Sequence, residues 1–171
     1  VNAGKTLFDL YDLTGKEKYR RAIDLVYSQL KTQPRTSTGN FWHKEIYPNQ
    51  IWLDGLYMAQ PFYMQYEVTY NNSTNCKDCY QQFVNVYNLM RDLYYHAYDD
   101  SRTSFWCDKV TGLSDNFWLR ALGWYAMALI DTMEVMPEET LGSEKKEMNR
   151  IYKELIDSML PYQDEETGMW Y

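Results

Sequence analysis

Trp52-Leu53-Asp54-Gly55-Leu56 opens an apolar stretch that runs to Tyr70 (IWLDGLYMAQPFYMQYEVTY from Ile51), and Trp118-Leu119-Arg120-Ala121-Leu122 opens a second that runs to Val135 (WLRALGWYAMALIDTMEV from Trp118). Both are apolar on nearly every face, the mark of a helix buried all round. The openings share Trp-Leu-(Asp or Arg)-x-Leu, 66 positions apart (118 − 52). Helical hairpins stacked as repeats produce such an echo.

Working outward, three stretches have one apolar face only. Tyr19, Ala22, Ile23, Val26, Tyr27 and Leu30 line 16–33; Phe83, Val84, Tyr87, Met90, Leu93 and Tyr94 line 78–95; Met148, Ile151, Tyr152, Leu155, Ile156 and Met159 line 143–160. A short helix with Leu7, Leu10 and Tyr11 precedes them and breaks at Thr14-Gly15. Pro48 falls where a first-turn proline of the 51–70 helix belongs, Pro61 is expected to kink or split that helix, and Pro137 halts the one before it. Residues 35–47 and 97–116 read as loops, with Thr111-Gly112 a turn, and strands are at most minor. The fold class is all-α, and alternating buried and half-buried helices call for two concentric layers.

With neighbours antiparallel, the buried helices start at one rim. Asp54, Trp118 and Arg120 lie in their first turns, His43 in the loop before one, and His96 closes a half-buried helix on the same side. This spacing alone gathers a carboxyl, two imidazoles and a guanidinium.

The 171 residues carry a formal charge of −7 and no basic run, so nucleic acid is not the expected partner. No stretch of 18 apolar residues suggests a membrane span. Six Trp and 17 Tyr suit either a core or the stacking of sugar rings. Three cysteines, with Cys76-x-x-Cys79, fall short of the four ligands of a structural zinc; no metal and no cofactor is expected. Asn71-Asn72-Ser73-Thr74 contains formal glycosylation sequons, which matter only in a secretory pathway. Val1-Asn2-Ala3-Gly4-Lys5 has no signal-peptide character and Met169-Trp170-Tyr171 stops in an apolar run. Both ends read as cut edges, and the cytoplasm is the expected compartment.

Phe41-Trp42-His43-Lys44, followed by Tyr47-Pro48-x-Gln50-x-Trp52-Leu53-Asp54-Gly55-Leu56-Tyr57-Met58-Ala59-x-Pro61-Phe62, resembles the central signature of unsaturated rhamnogalacturonyl hydrolases, within the broader unsaturated glycuronyl hydrolases (glycoside hydrolase families 105 and 88). His96-x-Tyr98-Asp99, Trp106, Thr111-Gly112 and Trp118-x-Arg120-x-x-Gly123-Trp124-Tyr125 resemble the second signature, and Arg35-Thr36 also fits. The resemblance implies an (α/α)6 toroid of helical hairpins, about half of it in residues 1–171. It implies an oligosaccharide substrate from pectin, cleaved by hydrating a C4=C5 enol ether.

Asp54 is then the catalytic acid and base. His43, His96, Arg120, Trp118, Trp124, Trp52 and Met58 are substrate-binding, with Arg120 paired to the uronate carboxylate as only a guanidinium fork does. Tyr98, Leu119 and Ala121 depart from the family pattern and are expected to narrow the approach to Arg120 and Trp124. A second acidic residue of the family falls ahead of Val1. Spacing alone favours a helix-start residue suited to the dipole at Asp54, and the signature reverses that preference. That dipole favours carboxylate while burial among Trp42, Trp52 and Tyr57 favours the acid, which leaves its charge open. Rival readings are a non-catalytic helical-repeat scaffold, a degenerate sugar-binding remnant, and another toroidal carbohydrate enzyme acting on saturated sugars.

Overall fold

A computed structural model describes residues 1–91 and 93–170. Six helices carry the chain: α1 (Lys5–Thr14), α2 (Glu17–Thr32), α3 (Leu53–Tyr70), α4 (Cys76–Met90), α5 (Leu119–Val135) and α6 (Glu138–Met159). Between them, β1 (Gln50–Trp52) and β2 (Ala97–Asp99) form a two-stranded antiparallel ribbon, pairing Gln50 with Asp99, Ile51 with Tyr98 and Trp52 with Ala97. No helix among the described residues is long and apolar enough to cross a membrane.

The repeat seen in the sequence is a repeat of position. Trp52 and Trp118 are both extended residues immediately ahead of a helix, so Asp54 and Arg120 are each the second residue of theirs. Asp54 meets Arg120 and, one turn on, Tyr57 meets Trp124. The contacts advance in the same direction along both helices, so α3 and α5 lie parallel and begin at one rim. Neighbours in the chain run antiparallel: Gln60 bonds Gln82 and Tyr63 bonds Asp78 between α3 and α4.

α3 is buried from Leu53 to Glu67, whereas α5 leaves Met127 and Ile130 exposed at 48% and 40%. The wet-faced helices behave as their spacing requires: Ile23, Tyr27 and Leu30 of α2, Cys79, Phe83, Val86 and Met90 of α4, and Met148, Ile151 and Leu155 of α6 are buried. Cys76 and Cys79 are two of these inward residues, free thiols in the core. At the far end of α3, buried Glu67 accepts hydrogen bonds from Tyr27, Asn71 and the Asn75 backbone, which fastens the 71–75 turn.

Several boundaries differ from the periodic reading. Pro48 starts no helix; it lies in a turn ahead of β1, and α3 begins only at Leu53, because residues 50–52 are claimed by the ribbon. Pro61 does not split α3, which continues to Tyr70 around it. α4 ends at Met90, so His96 closes no helix. Tyr94 instead takes a left-handed conformation (φ 57°) and drops into the core, its ring 5.3 Å from that of Tyr125. The 97–116 stretch is more ordered than a loop: β2 lies in it, and bridges Tyr98–Leu113 and Cys107–Ser114 fold it back on itself. The Thr111-Gly112 turn is present. Gly112 has φ 82°, and a Cβ there would meet the Asp99 carbonyl at 2.6 Å. α6 starts earlier than 143, at Glu138, with a non-helical Leu141 interrupting its first turns.

Asp99 is the anchor of that stretch. It is fully buried, and its carboxylate accepts the backbone N–H groups of Ser101, Thr103 and Ser104 and the Ser101 hydroxyl. Burial pushes its carboxyl up, and the donors outweigh it and bring it down to about 2. Against an unfolded value of about 3.9, this contributes about 2–3 kcal/mol at neutral pH. A depressed carboxyl stabilises above its unfolded value and loses the effect as pH falls through its folded one. Asp99→Asn should therefore lower stability by about 2 kcal/mol at about pH 7, measured by urea unfolding, and the gap to wild type should close between about pH 4 and pH 2.

Candidate active site

The ribbon builds the rim. β1 delivers Trp52 and β2 begins one residue after His96, so the His96 carbonyl accepts the Leu53 N–H (3.2 Å), an otherwise orphaned donor at the start of α3. The His96 N–H in turn donates to the Asn116 carbonyl (3.1 Å), which ties the approach to α5 to the same point. His96 is thus fixed by its backbone between the starts of the two parallel helices.

Asp54 sits below, 6% exposed, with Oδ2 3.3 Å from His96 Nε2 and Oδ1 3.4 Å from Arg120 Nη1. Neither contact is a straight hydrogen bond; Asp54 Oδ2 and His96 Nε2 face one another off-axis and have no other partner. Burial pushes the Asp54 carboxyl up, but contact with His96, the Arg120 charge and its own backbone N–H together bring it below the ordinary aspartate range. The question left open by the sequence is answered by neighbours: Asp54 is a carboxylate here, despite being buried.

Three aromatic rings stack alongside. The His43 imidazole lies 4.5 Å from the Trp52 indole at 6°, and Tyr47 lies 5.2 Å from the same indole. The His43 N–H donates to the Gln50 carbonyl, and Gln50 Oε1 accepts the indole N–H of Trp52, so loop and strand hold this stack from both sides. His43 is pushed down to about 4 by burial first and the Lys44 charge second, leaving it neutral near pH 7. A Cβ on Gly55 would sit 3.0 Å from His43 Nδ1, so only glycine lets α3 pass this close.

Arg120 is half exposed, its guanidinium 4.9 Å from the centre of the Trp118 indole, and Trp118 is itself 5.6 Å from His96. Trp124 is one turn deeper, its ring 4.6 Å from that of Tyr57 and tilted by 33°; Lys5 covers that Tyr57 ring at 4.0 Å while pairing with Asp131. Met58 lines a cavity of about 170 Å³ with His43, Trp52 and Gly55. Of the residues singled out in the sequence, Asp54, His96 and Arg120 make direct contact, Trp52, His43 and Trp118 surround them, and Trp124 and Met58 stand one turn further in.

A second opening, of about 410 Å³, lies on the other side of Trp52, against His96 and Trp118. It is shaped by Trp106, Asp115, Asn116 and Phe117, none of which spacing had pointed to as site residues. The bridge between Cys107 and Ser114 brings Trp106 there, a pairing with no periodic signature. Five of the eight unpartnered buried side-chain atoms among the described residues, Trp42 Nε1, His43 Nδ1, Gln60 Oε1, Asp54 Oδ2 and His96 Nε2, belong to residues on or beside these walls; the others are on Asn2, Tyr94 and Thr132. Such atoms are rare in native proteins, and their clustering marks a place of function.

Comparison with known proteins places the chain in a family and a fold. The chain is 25% identical over its whole length to the unsaturated rhamnogalacturonyl hydrolase YesR of Bacillus subtilis, of which it spans 50%. It is 33% identical over 116 residues, 66% of its length, to protein Atu3128 of Agrobacterium fabrum, of which it spans 48%. A family 105 glycoside hydrolase from C. acetobutylicum superposes with a TM-score of 0.93 at 42% identity, over 98% of this chain and 47% of that one. A family 88 protein of Bacteroides vulgatus shares the fold at a TM-score of 0.64 and 24% identity, with 96% and 44% covered. The chain spans about half the length of each of these relatives, so its helical hairpins correspond to about half of an (α/α)6 toroid. The matched region of the family is residues 1–171, the whole of the sequence, and the chain belongs to Glycosyl Hydrolase Family 88.

Proposed function

We propose that this chain supplies the acid–base half of a hydrolase that removes a 4,5-unsaturated uronic acid from pectin-derived oligosaccharides by hydrating its C4=C5 enol ether. One observation carries the reading: a buried carboxylate, Asp54, 3.4 Å from a half-exposed guanidinium on a rim of indoles. The likeness to YesR supports a rhamnogalacturonan-derived substrate.

In this reaction Asp54 gives a proton to C4 and then takes one from the water whose oxygen bonds to C5. The product is a hemiketal at C5, which opens to a ketone and releases the partner sugar from C1 with its oxygen; Asp54 ends as it began. A carboxylate has no proton to give, so binding must first change its charge. The substrate's own carboxylate does this by competing for Arg120. Its bidentate fork suits a carboxylate ligand better than the long single contact at Asp54. With Arg120 engaged and an anion nearby, burial governs Asp54 and raises it into the range of a general acid. His96 holds the second oxygen, and Trp118 and Trp52 flank the ring.

Asp54→Asn in the full-length enzyme keeps size and fold but loses both proton steps; kcat should fall by about 10⁴-fold, at the top of the range for general acid–base catalysis. The reaction is followed as loss of the ultraviolet absorbance of the conjugated double bond, and bleaching at a near wild-type rate would make Asp54 a helix-start residue only. The exchange of partners has its own readout. An unreactive saturated uronate should raise the Asp54 carboxyl above the ordinary aspartate range in ¹³C NMR titrations, from below that range when free. Its neutral methyl ester should not, and Arg120→Gln should abolish the difference. Equal titration with the acid and the ester would remove Arg120 from this role.

A further inference from the structure

The 410 Å³ opening beside His96 has a composition of its own. Trp52, Trp106, Phe117 and Trp118 line it, with Phe117 44% and Trp118 52% exposed. Its volume falls in the range of small-ligand sites, about 300–1,000 Å³. Its floor is fixed: the Ser114 hydroxyl accepts the Ala97 N–H and donates to the Asn116 carbonyl, which also takes the His96 N–H. Among the described residues, the side chains of Asp115 and Asn116, exposed at its edge, have no hydrogen-bond partner, and no Lys or Arg lines it.

The opening is continuous with the Asp54 cluster. The Trp52 and Trp118 rings lie 5.1 and 5.6 Å from the His96 ring, and His96 Nε2 lies 3.3 Å from Asp54. A disaccharide whose unsaturated ring sits over Asp54 and Arg120 must place its second ring to one side of that point. Aromatic faces with a free amide suit the apolar face and hydroxyls of a sugar. A carboxylate in a lining that holds no Lys or Arg repels a second acid.

We propose that this cleft receives the sugar that leaves, that Trp106 is its stacking platform, and that Asp115 restricts it to uncharged sugars by repelling a uronic acid there. The inference rests on the hydration reading and adds the residues that choose the leaving sugar. Arg120 selects a charge on one ring, and Asp115 selects against a charge on the next.

The test uses the full-length enzyme and three substrates sharing one unsaturated uronic acid: its methyl glycoside, its disaccharide with a neutral deoxyhexose, and its disaccharide with a uronic acid. Wild type should prefer the neutral disaccharide to the charged one. Asp115→Asn should shrink the ratio of their kcat/KM values about tenfold, the order that one like charge at close range on a protein surface accounts for. Trp106→Ala should raise KM for the neutral disaccharide about tenfold relative to KM for the methyl glycoside, which has no second ring. Trp106→Phe should restore most of the difference, separating loss of a platform from loss of fold. If Asp115→Asn leaves the ratio unchanged, or Trp106→Ala weakens both substrates equally, this inference fails while the hydration reading stands. If wild type bleaches none of the three, the hydration reading fails and this inference with it.

Discussion

The carbonyl of His96 accepts the first free N–H of α3, and the site is organised around that bond. A helix start leaves donors unpaired, and satisfying one with the backbone of a distant segment fixes that segment's position. Here the segment arrives on a ribbon of three residue pairs, Gln50–Asp99, Ile51–Tyr98 and Trp52–Ala97. The His96 N–H then binds the residue two places before Trp118. One imidazole is thereby held between two helix starts, against an Asp54 that also faces Arg120.

The electrostatics follow from that placement. A carboxylate at the second position of α3 suits the positive end of the helix dipole, while a guanidinium at the second position of α5 opposes it. Arg120 is tolerated because Asp54 faces it across the parallel pair, and because half of it remains in solvent. The same arrangement leaves the guanidinium available to an incoming anion. His43, stacked on Trp52 and kept neutral by burial, adds hydrogen-bonding capacity without another charge.

Much of this was legible in the residues. The Trp-Leu-(Asp/Arg)-x-Leu echo marks two equivalent helix starts, and one-sided apolar stripes separate α2, α4 and α6 from α3, which is buried, and from α5, which is apolar all round yet leaves Met127 and Ile130 exposed. The ribbon escaped notice because three residues are too few to show alternation. Gln50 and Trp52 also look like helix residues after Pro48. Tyr94 was counted in the helical stripe of α4 because it is apolar at the right spacing, yet it reaches the core by a left-handed turn that spacing does not encode. The charge of Asp54 was not legible at all. It depends on Arg120 and His96, whose contacts are set by pairing across the ribbon. Trp106 was quoted only as one residue of a signature, and a single Cys107–Ser114 bridge decides where it points.

Asp54 and Arg120 stand 66 residues apart (120 − 54), with α4 and the whole 97–116 stretch between them. Contacts this distant in sequence form late, because the chain must close a long loop before they repay its entropy. A nascent chain that has made α1, α2 and α3 has Asp54 but none of its ionic surroundings. Its acidity is then that of an ordinary carboxyl, and it changes as α5 docks. The titration of this one aspartate therefore reports closure of the parallel helix pair: an Asp54 that behaves as an ordinary carboxyl marks a chain in which α5 has not docked.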